Sequence, residues 1–336
     1  MNLKNRISAL VRWGEAIQNL DDAQKENLFF NASGKNRWFT KDSIRLSFEG
    51  ILKYLDKNNI EKWLSNYVLE EQTPKSIGLV MAGNIPLAGF HDFITVLISG
   101  NIVQAKLSSG DSYLLPHLVK FLIELEPAFN DRIAFVDRLK DFDAIIATGS
   151  DNSARYFNYY FSKYPHIIRQ NRTSCAILDG LENESDLIEL GKDIFQYFGL
   201  GCRNVSKIFI PINYEFNDLF KALEPYSDII NHHKYNNNYD YQKSILLVNS
   251  VEHLDLGFLL LRETESLVSP ISVLFYDYYD STEDLKIKLN PLSHKIQCIV
   301  AKDASWPGSI HPGIAQKPEL WDYADKVDTL QYLLDL

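Results

Sequence analysis

Two α/β domains behind an N-terminal helical segment are what this 336-residue sequence predicts. Three observations carry the prediction. From Lys75 onward, short apolar runs alternate with helical stretches, the pattern of a parallel sheet covered on both faces. The alternation starts again near residue 174, with no Pro/Ser-rich linker between the halves. Upstream of Lys75, apolar residues recur at helical spacing instead. At about 150 residues per domain, the length also suits two domains.

Residues 1–70 read as helical. Leu3, Ile7, Leu10, Val11 and Ile17 mark one stripe, and a second helix spans 41–55. These helices are expected to pack on a core or on another subunit. SIGLVMAGN (76–84) is a buried strand entering a Gly-Asn loop, followed by a helix over 88–99. NIVQAKLS (101–108) is the next strand, then a helix over 113–125 with Pro116 in its first turn. RIAFVDR (132–138) and DAIIATGS (143–150) are two further strands, with a helix after Ser150. This first half is Rossmann-like, although it contains no G-x-G-x-x-G. In the second half, SCAILDG (174–180) and VSKIFIPI (205–212) read as strands, with helices over 183–198 and 215–223. Residues 231–242 read as a polar, Asn-rich loop. SILLVNS (244–250), FLLLRE (258–263), SVLFYDY (272–278) and IQCIVAK (296–302) read as strands. The expected domains are 1–174, 175–311 and a C-terminal segment, 312–336, that returns to the first domain or to a subunit interface.

Lys and Arg total 34 against 44 Asp and Glu, a net charge of −10. No long basic run stands out, so nucleic acid is not expected as the main partner, although a local site for a nucleotide phosphate is compatible. Three cysteines make no disulfide framework and suit a reducing compartment. The N-terminus lacks the apolar core and cleavage site of a signal peptide. No apolar run approaches the roughly 18–20 residues that span a bilayer. A cytoplasmic location is the expectation. His232, His233 and His311 show no zinc-type spacing, so no metal site is expected.

Chemistry concentrates in four loops. In FGLGCRNVSKIFIP (198–211), Cys202 follows Gly199 and Gly201 directly before a strand. Glycines allow close backbone approach to a substrate, and the Cys202 N–H is placed to help bind an oxyanion. Arg203 beside it favours the thiolate. The plainer reading of Cys202 is a small buried hydrophobe. AGNIP (82–86) ends one strand and offers the Asn84 amide. KLSSGDSYLLP (106–116) ends another and offers Lys106 and the Ser109 hydroxyl. ATGSDNSARYF (147–157) ends a third and opens a helix at Gly149 and Ser150, where backbone N–H groups favour an anion. Strand C-termini are where ligands sit in open α/β sheets. Gly-Asn and Gly-Ser are also ordinary turn signals. Cys175 and Cys298, inside apolar strands, read as core. His91 reads either as a neighbour of the AGNIP loop or as a packing histidine.

In their order, these motifs resemble the aldehyde dehydrogenase superfamily. AGNIP resembles its Asn-x-Pro oxyanion loop, and NIVQAKLSSGDSYLLP its G-N-x-V-x-x-K-P-S-E-x-x-P segment. ATGS resembles the F-T-G-S turn beneath the nicotinamide, and FGLGCRNVSKIFIP the loop of the catalytic cysteine. RETESLVSPISVL (262–274) resembles E-E-x-F-G-P-V, and PGIAQKPELWDYADKVDTL (312–330) the segment that closes the site. Within the superfamily, the G-x-C-R-N-V-S string is most similar to the long-chain acyl-CoA reductases, the fatty acid reductase component of bacterial luminescence systems.

The resemblance implies an aldehyde dehydrogenase-like fold, with the nucleotide-binding domain first and the cysteine domain second. It implies an NADPH-dependent acyl-CoA reductase in which Cys202 takes the acyl group as a thioester and Asn84 with the Cys202 N–H holds the oxyanion. Lys106, Ser109, Gly149, Ser150 and Glu265 are the implied cofactor contacts. The implied product is a fatty aldehyde with release of CoA. Implied partners are the acyl-CoA substrate, an acyl-donor synthetase or carrier protein, and further copies of the chain in a homo-oligomer.

Departures from the pattern refine the expectation. Oxidising members carry a general-base glutamate in E-L-G-G-K, and the corresponding position here is Ile168. Without a carboxylate there, water is not activated against the thioester, which favours reduction. Ser109 replaces the acidic residue of K-P-S-E, removing a charge that would repel a 2′-phosphate. Anchored on Pro270, the ribose-binding glutamate falls on Ser266, one residue from Glu265. Two alternatives share these motifs: a related oxidoreductase that uses acyl-carrier-protein or acyl phosphate donors, and a non-redox acyl-transfer subunit.

Overall fold

Four helices open the chain because polar caps and apolar stripes agree on them: α1 (Leu3–Gln18), α2 (Asp22–Lys35), α3 (Lys41–Leu55) and α4 (Lys57–Leu64). Asn2, Asp21, Thr40 and Asp56 cap them in turn, each accepting a backbone N–H of the first turn. Asp21 and Gln24 complete a reciprocal capping box. On α1, Ala9, Leu10, Trp13 and Ile17 are buried, and the Trp13 indole N–H donates to the Leu118 carbonyl at 2.7 Å. A buried Trp keeps its stability only when that N–H is satisfied.

This computed structural model describes residues 1–70, 72–302 and 305–336. The chain forms two units, Met1–Asn171 with Glu319–Leu336, and Arg172–Pro318.

In the first unit the helices cover a five-stranded parallel sheet of order β3-β2-β1-β4-β5. Its strands are β1 (Ser76–Val80), β2 (Ile102–Lys106), β3 (Ile133–Phe135), β4 (Ala144–Thr148) and β5 (His166–Arg169). Between them run α5 (Phe90–Ser99), α6 (Leu114–Leu125) and α7 (Asp151–Phe161). The chain winds outward from β1 to β3, then crosses back to β4 and β5. The switch point therefore lies between β1 and β4, where open α/β sheets leave a crevice at the strand C-termini. The C-terminal stretch adds α12 (Thr329–Leu334), with Leu330 and Leu333 buried in the same core.

Strand β5 lies outside the sequence expectation. Its burial alternates as exposed His166, buried Ile167, half-buried Ile168 and buried Arg169. An arginine at a core position masks the strand pattern. Here Arg169 is tolerated because it pairs with Asp92 and donates to Thr329 Oγ1 at 2.8 Å.

The second unit has a six-stranded sheet of order β11-β6-β7-β10-β9-β8, parallel except for the β8–β9 pair. Its strands are β6 (Thr173–Ile177), β7 (Val205–Pro211), β8 (Leu254–Asp255), β9 (Leu260–Glu263), β10 (Val273–Tyr279) and β11 (Ile296–Ala301). Its helices are α8 (Glu184–Phe195), α9 (Asn217–Leu223), α10 (His233–Val248) and α11 (Thr282–Leu289).

Helix α10 overturns two expectations at once. Residues 231–242 are not a loop, and 244–250 are not a strand. Tyr235, Tyr239 and Leu246 form its buried face at helical spacing. Tyr235 donates to the Phe258 carbonyl at 3.0 Å. Asparagines are weak helix formers, so their density hid that spacing. The apolar run that follows is one that periodicity cannot divide between helix and strand. Its Leu247 and Val248 point to solvent.

Candidate active site

Three loops of the first unit leave β1, β2 and β4, and each carries an expected site residue. The β1 loop holds Asn84, exposed, between buried Met81 and buried Pro86. The β2 strand ends on exposed Lys106 and leads into a short turn that starts at Ser109, also exposed. The first two loops interlock through glycines. A Cβ on Gly83 would stand 2.6 Å from Ser108, and one on Gly110 would stand 2.7 Å from the Gly83 carbonyl. Only a residue without a side chain permits that approach. Ser47 Oγ donates to the Pro86 carbonyl at 2.6 Å, and Asn36 Nδ2 to the Gly110 carbonyl at 3.1 Å.

Asp111 ties the two loops together. Its Oδ2 accepts the Leu87 N–H at 2.6 Å, which holds Leu87 at a φ of 58°. Its other oxygen, Oδ1, is buried and has no hydrogen-bond partner. Burial pushes the carboxyl up to about 6, against the pull of the Leu87 N–H. The expected residues of this segment were Lys106 and Ser109. Asp111 went unread, since nothing in S-S-G-D says that its side chain turns inward.

The β4 loop is short. Ser150 caps α7, accepting the Ser153 N–H at 3.2 Å. A Cβ on Gly149 would stand 2.8 Å from both Phe157 and Ser153, so the glycine lets the strand turn tightly into the helix. Ile168, the residue expected to stand where oxidising members carry a base, lies half-buried in β5 beside Ala147. His91 is a packing histidine. It lies among Tyr54, Trp63 and Tyr323, with Nε2 at 2.8 Å from the Leu320 carbonyl.

In the second unit, Cys202 occupies a tight turn over 201–204 and is exposed, whereas Cys175 is buried. The chain reaches this turn through Tyr197, Phe198 and Gly199, all in the left-handed region at φ 52°, 59° and 76°. For Tyr and Phe that conformation costs roughly 1–2 kcal/mol each. Cys298 is partly buried, not a full core residue. Its Sγ lies 3.0 Å from Ser174 Oγ, and its N–H donates to the same oxygen at 3.2 Å. Burial pushes the Cys298 thiol up, as it does Cys175.

Glu265 is exposed in the loop after β9, with Ser266 beside it. Strand β7 anchors both sides of that loop. Lys207 Nζ donates to the Thr264 carbonyl at 2.8 Å, and Ser206 Oγ to the Leu267 carbonyl at 2.9 Å. Lys207 is fully buried. Desolvation lowers its pKa, and Asp277 at 3.2 Å opposes the shift.

A buried carboxylate holds the segment after β11. Asp193 accepts the Gly313 N–H at 2.7 Å and the Ala315 N–H at 3.0 Å. Burial pushes it up to about 6, against these two bonds. Among the described residues, no cluster of His, Cys, Asp and Glu could hold a metal ion. No helix among them is long and apolar enough to cross a membrane.

The comparisons agree with this architecture. The chain is similar to an aldehyde dehydrogenase from Mycobacterium tuberculosis solved with NAD+, at a TM-score of 0.67 and 13% identity over 91% of this chain and 74% of that one. It is similar to an indole-3-acetaldehyde dehydrogenase from P. syringae at a TM-score of 0.69 and 12% identity, over 92% and 74%. Identities this low speak for the fold alone. Among curated proteins, a long-chain acyl-protein thioester reductase of Photobacterium leiognathi is 24% identical over 196 residues, 51% of this chain and 40% of that protein. The chain thus matches less than half the length of that relative. The family model for acyl-CoA reductase (LuxC) matches residues 13–230. The interlocked β1 and β2 loops, the short β4 turn and most of the Cys202 unit's first half fall inside that span, and the chain belongs to the LuxC acyl-CoA reductase family.

Proposed function

We propose that the protein is an NADPH-dependent acyl-CoA reductase that carries its acyl group on Cys202. The observation that carries this reading is the exposed Cys202 thiol on a tight turn, in a chain where Ile168 stands in place of a water-activating base. The thiolate attacks the thioester carbonyl. The Cys202–acyl bond forms, the bond to CoA sulfur breaks, and CoA leaves as its thiolate. The proposed oxyanion donors are the Cys202 N–H and the Asn84 amide. With no carboxylate to activate water, the acyl-enzyme persists until it is reduced.

The first unit fits a dinucleotide. Its sheet changes direction between β1 and β4, and Lys106, Ser109 and Ser150 are exposed at or just beyond the C-terminal ends of β2 and β4. Lys106, Ser109, Gly149 and Ser150 are the proposed contacts, with Glu265 or Ser266 at the second ribose. Lys106 suits a 2′-phosphate by charge. When bound, the reduced nicotinamide supplies the hydride that turns the acyl group into an aldehyde. Release of the aldehyde returns Cys202 as a thiolate.

A second donor calls for the same test, because the curated relative is named for acyl-protein thioesters. The experiment is NADPH consumption with a chain-length series of acyl-CoAs, run beside Cys202→Ala. Turnover that depends on chain length and vanishes in the variant is the expected result. Acyl trapping on Cys202 without turnover points to transfer chemistry or to a missing partner. No turnover, no trapping and no NADPH binding overturn the reading.

A further inference from the structure

The turn that carries Cys202 is held by a side chain that takes no part in the chemistry proposed above. Asn204 is almost fully buried. Its backbone N–H donates to the Gly201 carbonyl at 3.0 Å, and its Oδ1 accepts the Gly201 N–H at 2.7 Å. Both polar groups of Gly201 are therefore bound to one residue, with Cys202 between them. The other end of the same amide reaches α8. Nδ2 donates to the Asp193 carbonyl at 3.0 Å and the Gln196 carbonyl at 2.8 Å, with Ile194 at 3.4 Å. The Asp193 and Ile194 carbonyls sit in the last turn of α8 and Gln196 is its C-cap, where no further N–H of the helix can reach them.

Such a cap has a reason to exist here. The chain leaves α8 through three successive left-handed residues, two of them aromatic. That conformation persists only where neighbouring structure enforces it. Asn204 joins the helix end before this kink to the turn after it. Gly201 is close-packed on the brace: a Cβ there would stand 2.9 Å from Asn204 Oδ1 and 3.1 Å from Gln316 Nε2. Strand β6 holds the turn from its other side. Ser174 Oγ donates to the Cys202 carbonyl at 3.2 Å, and Ser174 N–H to the Asn204 carbonyl at 3.1 Å.

We infer that Asn204 is a positioning residue for acyl transfer: by bonding Gly201 on one side and the end of α8 on the other, it sets the direction in which the Cys202 thiol and N–H meet a thioester. The inference rests on the reading of Cys202 as the acyl acceptor. Attack on a carbonyl needs the thiol aligned with an oxyanion donor, and misplacement by about 1 Å costs roughly 10²-fold. Alkylation by a small reagent needs only an accessible thiolate.

The test compares those two reactions in the full chain. Wild type, Asn204→Ala, Asn204→Asp and Ser174→Ala are each given a radiolabelled long-chain acyl-CoA in a single turnover, and separately iodoacetamide across a pH series. Hydrogen exchange is followed over residues 197–204. For Asn204→Ala the expected result is a fall of about 10²-fold in acyl transfer. Alkylation at Cys202 should change less than threefold and its pH profile should not move, while protection at Gly201 is lost. Asn204→Asp keeps the acceptor for Gly201 but sets a negative charge against the α8 carbonyls, so it should not rescue. Ser174→Ala removes one bond to the turn and should cost about fivefold in acyl transfer. It supplies the test if the Asn204 variants do not fold. Acyl transfer within threefold of wild type in folded Asn204 variants and in Ser174→Ala overturns the inference. So does an equal fall in both reactions. If wild type alkylates at Cys202 but takes no acyl group, the proposed function fails. The brace is then judged by exchange, and unchanged protection at Gly201 in Asn204→Ala or at residues 202–204 in Ser174→Ala refutes it.

Discussion

Replacing Asp111 with asparagine should stabilise the protein at neutral pH, although it alters a buried side chain beside the proposed site. Asp111 is 7% exposed, and only one of its oxygens has a partner. Burial raises the carboxyl from 3.8 to about 6. Between these values the unfolded chain ionises Asp111 while the folded chain keeps its proton. The folded state then binds more protons, so stability falls as pH rises through this window and is level above it. The lost stability at neutral pH is about 3 kcal/mol. The amide of Asp111→Asn would imitate the protonated form. Its oxygen still accepts the Leu87 N–H, and its nitrogen takes the place of an oxygen that already lacks a partner. The gain expected at pH 7.5 is about 2–3 kcal/mol, or roughly 5–10 °C in Tm for a unit of this size. Thermal unfolding of wild type and Asp111→Asn from pH 4 to 8 measures it. The gap should open between pH 4 and 6 and stay constant above, with other titrating groups cancelling in the difference. A variant no more stable than wild type at pH 7.5, or a gap that does not change with pH, refutes the reasoning.

Asp193→Asn should gain clearly less than Asp111→Asn at neutral pH: removing the charge gains about 3 kcal/mol by the same linkage, and the loss of an acceptor for one of the two backbone N–H groups takes back about 1–3 kcal/mol. Urea unfolding of both variants at pH 7.5 would measure the difference, and an equal gain in the two would count against the role given to Asp193. Arg169→Met should destabilise by about 3–5 kcal/mol, since it leaves Asp92 buried without its counter-charge. Adding Asp92→Asn should recover much of that loss, and a double variant no better than the single one would argue against the pair.

Legibility followed the physics of each segment. The strands carrying the proposed site were readable because β1, β2, β4 and β7 are short apolar runs closed by Gly, Asn or Lys at their ends. Cys202 stood out by its glycines and its place before a strand, and the structure leaves it exposed on a tight turn. The bracing residues were not. Asp111, Arg169, Asn204 and Ser174 are polar, and polar residues in a sequence read as surface or turn by default. Their partners are Leu87, Asp92, the end of α8 and the Cys202 carbonyl. Among these, Asp92 and Arg169 stand 77 positions apart, and no local pattern links them.

The sequence by itself determined the class of fold, the order of the motifs and the candidate thiol, Cys202. These depend on local hydropathy, turn chemistry and residue identity, all of which are written along the chain. The tertiary structure decided the helix over 233–248, the edge strand β5 and the partner of each buried polar group. Those outcomes depend on which surfaces are desolvated together. A tyrosine pair selects helix only once its face is covered, and a buried charge is tolerated only where another element brings its partner.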